Sequence, residues 1–238
     1  MNKYKHLFFD LDNTIWDFNR NSINALRKAL NTIHLNEMPF KFDDFLRHYL
    51  KINEYYWQQY RERKITKKEL INKRFSQTFE ELKLTMPVTA EDLNDIYLQE
   101  MALQVQLFSN AIEVLEYLTP KYTLHIITNG FREVQLNKMK NSNLEKYFKN
   151  VFISEVIQAP KPSKKIFEHA VKSCNARKRE SLMIGDSWEA DILGAYRFGI
   201  DQVYFSPMEK LDSHKEVKNP NKTSTYKISN LIQLTDFI

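Results

Sequence analysis

The sequence predicts an α/β protein: a doubly wound, Rossmann-like, mainly parallel sheet with an all-helical domain inserted into it. Short apolar runs alternate with helical patterns over most of the chain, as they do in βαβ units. From residue 17 to 108 that alternation stops, and amphipathic helical patterns follow one another with no strand between them. Several of the apolar runs end in acidic, hydroxyl or glycine residues. Open α/β sheets place their ligands at such strand ends.

The first strand is expected at residues 6–10, leading into Phe8-Phe9-Asp10-Leu11-Asp12-Asn13-Thr14. An unbroken apolar run of this kind reads as a buried parallel strand. Two carboxylates one residue apart at its end repel each other unless a cation or a shared proton relieves them. The pair could simply begin a turn. It does not begin an EF-hand, which needs Gly at its sixth position and Glu at its twelfth, because Ile15 and Asn21 stand there.

Four helices are expected next, at 19–34, 42–61, 66–82 and 89–107. Thr66 with Glu69 has the spacing of a capping box, and Thr89 before Glu91 and Asp92 is a second capped start. Tyr55, Tyr56, Trp57 and Tyr60 could stack on a planar ligand. Trp57 and Tyr60 share a helical face, and for them packing in the module's own core is the stronger expectation. The expected division is a core of residues 1–16 and 109–238 and a helical module of 17–108. Opening just after the acidic pair, the module is placed to cover it.

Further strands are expected at 123–128, 151–153, 182–184 and 202–205, with helices at 110–118, 132–141, 163–173 and 190–198. Ser163 is the expected cap of the third of these helices. A final strand and helix around 225–238 should complete the sheet's edge. Only four glycines occur, and Gly130 and Gly185 directly follow apolar strands, which marks places of positive φ or close approach.

Four polar sites thus fall at the same end of the sheet. They are Asp10 with Asp12; Thr128-Asn129-Gly130, whose hydroxyl and N–H groups suit a phosphate oxygen; Lys161 between Pro160 and Pro162; and Gly185-Asp186 with Asp191. Each alone could be a cap or a solvated side chain. Their recurrence on successive βα units points to one shared site.

The net charge of +5 suits small anionic ligands. The basic segment Arg61, Arg63, Lys64, Lys67, Lys68, Lys73 and Arg74 has the spacing of a solvated helix face, so no nucleic-acid polymer is expected as partner. Cys174 is the sole cysteine, which precludes an internal disulfide. The N-terminal apolar run, cut by Asp10, is too short for a signal or membrane segment. A cytoplasmic protein, monomeric or homodimeric, is expected.

As a set, the motifs resemble those of the haloacid dehalogenase-like (HAD) hydrolase superfamily. Asp10 to Thr14 match its first motif, Thr128 its second, Lys161 its basic third, and Gly185, Asp186 and Asp191 its fourth. The helical module is similar to a C1 cap of subfamily IA. The resemblance implies phosphate-monoester hydrolysis with Asp10 as nucleophile, Asp12 as acid and base, and Thr128, Asn129 and Lys161 on the phosphate. It also implies Mg²⁺ held by the Asp10 and Asp186 carboxylates and the Asp12 carbonyl, with Asp191 binding directly or through water. Because dehalogenases of the superfamily lack the second acid, Asp12 argues against carbon–halogen cleavage. Asn13 replaces the more usual Gly and tolerates positive φ.

Thr128 to Phe131 with Gln135, and the segment from Asn53 to Phe75, resemble the YjjG/YfnB-type branch, which implies a pyrimidine nucleoside monophosphate as the small phosphorylated substrate. Trp16 and Phe131 are candidates for lining the substrate entrance. The alternatives are a sugar-phosphate phosphatase, a β-phosphoglucomutase-like mutase and, remotely, a phospho-receiver module, which is about half this length.

Overall fold

The computed structural model describes residues 3–35, 41–208, 215–218 and 223–238. The chain divides into two compact units, Met1–Phe18 with Val105–Ile238, and Asn19–Gln104. The first strand, β1 (His6–Phe9), is buried from Leu7 onward, and Asp10 N–H still donates to Ile184 O at 2.8 Å beyond its end.

Four helices follow, α1 (Phe18–Thr32), α2 (Phe42–Arg61), α3 (Lys67–Glu81) and α4 (Ala90–Ala102). Thr66 and Glu69 form the expected capping box, and the Thr89 hydroxyl accepts from Asp92 N–H. Phe45, Tyr49 and Ile52 line the buried stripe of α2, with Tyr49 on Phe75 at 5.2 Å and Phe45 on Phe79 at 5.4 Å between ring centres. Two expectations are corrected here. Trp57 and Tyr60 are only half-buried and pack edge-to-face on each other at 5.8 Å, because the buried stripe runs past them. The last helix ends at Ala102 and not at 107. The sequence there, Leu103-Gln104-Val105-Gln106-Leu107, alternates with the period of an extended chain, and Leu107 bridges Trp16.

The chain then continues through α5 (Ala111–Leu118), β2 (Thr123–Thr128), α6 (Arg132–Asn141), β3 (Phe148–Ile153), α7 (Ser154–Ile157), α8 (Lys164–Ser173) and β4 (Ser181–Gly185). A π-helical turn over Trp188–Leu193 leads into α9 (Gly194–Phe198), followed by β5 (Asp201–Phe205), β6 (Lys215–Lys218), β7 (Ser224–Ile228) and a closing 3₁₀ turn. Ser163 caps α8 as expected.

The sheet order is β3-β2-β1-β4-β5-β7-β6, parallel throughout except for β6. The expected edge strand is therefore the penultimate one, and β6 pairs antiparallel outside it. Its sequence, Lys-Glu-Val-Lys, shows little apolar signal and is charged as edge strands often are. One face of the sheet buries Phe8, Ile127, Phe152 and Met183 against Ile166, Phe167, Ala170, Ala195 and Phe198. Among the described residues, no helix is long and apolar enough to cross a membrane.

The order of connections reverses between β1 and β4, which lie side by side with Phe9 opposite Ile184. In doubly wound sheets that switch point is where the strand ends open a crevice for ligands. Asp10 follows one of these strands and Asp186 the other.

Candidate active site

The loop after β1 is held tight by Asn13 N–H to Trp16 O at 2.8 Å and Trp16 N–H to Leu11 O at 2.9 Å. Asn13 adopts the left-handed conformation, φ 57°, that its residue type tolerates. This turn sends the two carboxylates to different partners. Asp10 Oδ1 accepts from Lys161 Nζ at 2.6 Å, while Asp12 Oδ1 accepts from Lys138 Nζ at 2.7 Å. Each member of the doublet has its own ammonium.

Lys161 is buried, and its Nζ donates to Asp10 Oδ1 and to Ile127 O at 2.7 Å, while Asp191 Oδ1 stands 2.7 Å away as an ion-pair contact without hydrogen-bond geometry. Its main chain is fixed too, since Asn129 Oδ1 accepts from Lys161 N–H at 2.8 Å and Asn129 Nδ2 donates to Lys161 O at 3.0 Å. The Asn129 side chain thus clamps the lysine loop, which leaves its backbone amide as the group it could offer a phosphate.

Thr128 ends β2 in full burial. Its hydroxyl accepts from Gly130 N–H at 3.2 Å and Gln135 Nε2 at 2.6 Å, so its own proton remains to be donated. Neither Gly130 nor Gly185 has positive φ; close approach explains both. A Cβ at Gly130 would lie 2.5 Å from Gln135 Cδ, and one at Gly185 would lie 2.3 Å from Asp191 Oδ2. The second glycine lets the fully buried Asp191 fold back on the loop, where Oδ2 accepts from Ser187 N–H at 3.1 Å. Thr14 Oγ1 reaches Asp186 Oδ1 at 3.4 Å.

Carboxylate oxygens of Asp10, Asp186 and Asp191 lie within 4.8 Å of one another. When all three are ionised, Lys161 is the one ammonium in contact with them among the described residues, so the cluster carries an excess of negative charge. The strain shows in their protonation. Burial pushes Asp10 well above the carboxylate range, opposed by Lys161 and reinforced by Asp191, Asp186 and Asp12. Burial, with Asp191 beside it, pushes Asp186 up to about 7. For Lys161, burial favours the neutral amine, but Asp10 and Asp191 outweigh it and hold the ammonium. An all-oxygen donor set with surplus negative charge fits a hard divalent cation.

A second grouping, His6, His125 and Cys174, does not make a comparable centre. His6 Nδ1 meets His125 Nε2 at 3.2 Å, whereas Cys174 Sγ lies 3.5 Å from the other ring nitrogen, Nδ1. One ligand atom from each of the three also lies within 4.8 Å of the others, but the two close contacts use opposite sides of one imidazole, and the nitrogen and sulfur donors carry no surplus negative charge to match that of the aspartates.

The upward shift of Asp186 makes the stability of the metal-free protein depend on pH. A carboxylate that holds its proton more tightly when folded favours the folded state at low pH. That stability is lost as pH rises from its ordinary value of 3.8 to about 7. In metal-free protein, the melting temperature of wild type relative to Asp186→Asn is expected to fall across this window. Melting curves in EDTA check it, and a flat difference contradicts it.

The structure brings Asp10, Asp12, Thr128, Lys161, Asp186 and Asp191 to one end of the sheet. Trp16 and Phe131 do not present the open surface expected of an entrance. Trp16 is fully buried with its ring 4.3 Å from Lys138 Nζ, and Phe131 is buried at the start of α6. Sequence reasoning missed Lys138 altogether and gave Gln135 no role. The signal was present in α6, where the inward positions 135, 138 and 139 carry Gln, Lys and Met in place of an apolar stripe.

Carboxylates, a buried lysine and a threonine at the switch point of a doubly wound sheet define an α/β enzyme of the Rossmann-like class. The chain belongs to the haloacid dehalogenase-like hydrolase family, whose model matches residues 4–199. It is 32% identical over 225 residues to the pyrimidine 5′-nucleotidase PynA of Streptococcus pneumoniae, covering 94% of this chain and 92% of that protein. It is 28% identical over 237 residues to the pyrimidine 5′-nucleotidase YjjG of Escherichia coli, covering 99% and 98%. The crystal structure of the HAD-hydrolase YfnB from Bacillus subtilis, bound to magnesium, matches with a TM-score of 0.84 at 28% identity, covering 99% of this chain and 98% of that one. The resemblance read from the motifs is borne out.

Proposed function

We propose that this hydrolase is a Mg²⁺-dependent phosphatase acting through an aspartyl-phosphate on Asp10, with pyrimidine nucleoside 5′-monophosphates as its substrates. The observation that carries the reading is the geometry at Asp10: a buried carboxylate held by Lys161, beside a second acid, Asp12, that has partners of its own. The nucleotide specificity is supported by the similarity to PynA and YjjG.

Lys161 fixes one oxygen of Asp10 and orients the carboxylate toward phosphorus. In the first half-reaction an Asp10 oxygen forms the new P–O bond, the ester P–O bond breaks, and protonated Asp12 gives its proton to the leaving oxygen. In the second, water attacks the same phosphorus, Asp12 takes its proton, and the Asp10 carboxylate is released with phosphate. The Thr128 hydroxyl and the Asn129 backbone amide would hold the phosphoryl oxygens. Lys161 Nζ already donates to Asp10 Oδ1 and Ile127 O, and it would support phosphate chiefly through its charge. Asp10 and Asp186, with the Asp12 carbonyl, would hold Mg²⁺; Asp191, whose Oδ2 accepts from Ser187 N–H while Oδ1 has no hydrogen-bond donor, would bind directly or through water. A bound Mg²⁺ supplies charge neutralisation for the phosphoryl group.

The unit Asn19–Gln104 is read as the C1 cap that confers substrate choice, and the reaction is assigned to the cytoplasm. A phosphate-release screen over nucleotides and sugar phosphates tests the reading. UMP, dUMP and dTMP should be turned over fastest, with activity lost in EDTA and restored by Mg²⁺. Much faster turnover of sugar phosphates contradicts the specificity, isomer formation without free phosphate indicates a mutase, and equal activity in EDTA contradicts the metal.

A further inference from the structure

Burying a lysine is costly unless its charge is matched, and α6 buries one whose only ion-pair partner among the described residues is Asp12. Lys138 and Gln135 stand one helical turn apart on the inward face of α6. Lys138 Nζ donates to Asp12 Oδ1 at 2.7 Å and Gln135 Nε2 to Asp12 Oδ2 at 2.9 Å, so each oxygen of the carboxylate has one donor. Two donors on two oxygens fix both the place of the group and its plane. The supports are fixed in turn. The Lys138 ammonium lies 4.3 Å from the Trp16 ring and 5.0 Å from the Phe18 ring, and Gln135 also donates to Thr128 Oγ1 at 2.6 Å. Gly130 leaves the space that the Gln135 amide occupies.

We propose that Lys138 and Gln135 are positioning residues for the proton-transferring carboxylate, holding Asp12 where the leaving oxygen and then the attacking water arrive, with Gln135 tying Asp12 to the phosphate-facing Thr128. The proposal rests on the phosphatase reading and deepens it. Neither side chain touches the reacting atoms; both act through Asp12. Their effect therefore depends on how much help the leaving group needs. An alkyl phosphate such as UMP expels a strongly basic alkoxide and needs the proton. An aryl phosphate such as p-nitrophenyl phosphate expels a weakly basic phenolate and does not.

The test compares Lys138→Met, Lys138→Arg and Gln135→Met with wild type and Asp10→Asn, on UMP and p-nitrophenyl phosphate, by steady-state and rapid-quench kinetics. Lys138→Met should fold, because Met fills much of the same volume and Asp12, its side chain 25% exposed, can rehydrate. For UMP, its kcat should fall about 10- to 100-fold with little change in KM. The first nitrophenolate turnover should slow far less, giving a burst followed by slow release of phosphate. Lys138→Arg should recover part of the loss, and Gln135→Met should show the same leaving-group dependence more weakly. Equal slowing of both esters with a raised KM overturns the proposal, since Lys138 would then bind substrate. An unchanged kcat in Lys138→Met also overturns it while leaving the phosphatase reading intact. Wild type inactive toward every ester overturns that reading and this proposal with it. Should Lys138→Met not fold, Gln135→Met and Lys138→Arg decide the matter by the same split.

Discussion

Asp10→Asn will leave the protein folded and lower phosphate release by on the order of 10⁴-fold or more. The amide keeps the shape of the carboxylate but is a far poorer nucleophile, so the covalent step is lost. Stability should move the other way. Asp10 is buried beside Asp191 and Asp186, and its ionisation is opposed by burial first and by those neighbours next. Replacing it with a neutral group removes that repulsion and leaves Lys161 paired with Asp191. The metal-free variant should therefore melt at or above the wild-type temperature, the pattern of a site held against its own stability. Initial rates and melting curves on one preparation read both effects. Full activity in the variant contradicts the mechanism, and a large fall in melting temperature would make Asp10 a structural residue.

Lys161→Met should damage activity and stability together. It removes the ammonium from two buried carboxylates, Asp10 and Asp191, and breaking such a pair costs about 3–5 kcal/mol. In the proposed mechanism it also removes positive charge from beside the transferring group, and a loss on the order of 10³-fold in rate is expected. The instability has a pH signature. Near neutrality and above, the orphaned Asp10 carboxylate is forced toward ionisation. At lower pH, about 5, Asp10, already pushed up by burial, can hold its proton, so the gap to wild type should narrow there. Denaturant melts at both pH values measure it. An equal deficit at the two would place the damage in lost packing and not in charge.

Much of this was legible in the sequence because strand ends carry the chemistry. The runs before Asp10, Thr128 and Asp186 are apolar enough to read as buried parallel strands, and parallel order brings their ends together. Lys161 was legible as the basic residue between two prolines. The lysine of Asp12 was not, because Lys138 sits within a helix, where a lysine ordinarily reads as solvated. Only the missing apolar stripe of α6 signalled that its inward face was polar. Trp16 misled in the opposite direction. Proximity to the acidic loop suggested an open ring, yet the ring is buried with the Lys138 ammonium close by. The edge strand β6 escaped notice because a four-residue charged segment has no periodicity to show.

The proposed covalent step at Asp10 can be trapped directly. Wild-type enzyme mixed with UMP and Mg²⁺ and quenched in acid within one turnover, then digested and analysed by peptide mass spectrometry, should carry one phosphoryl group on Asp10. The group should disappear when the reaction is allowed to run to completion. Phosphate released with no phosphoryl-enzyme at any time, or a phosphoryl group on another residue, would contradict it.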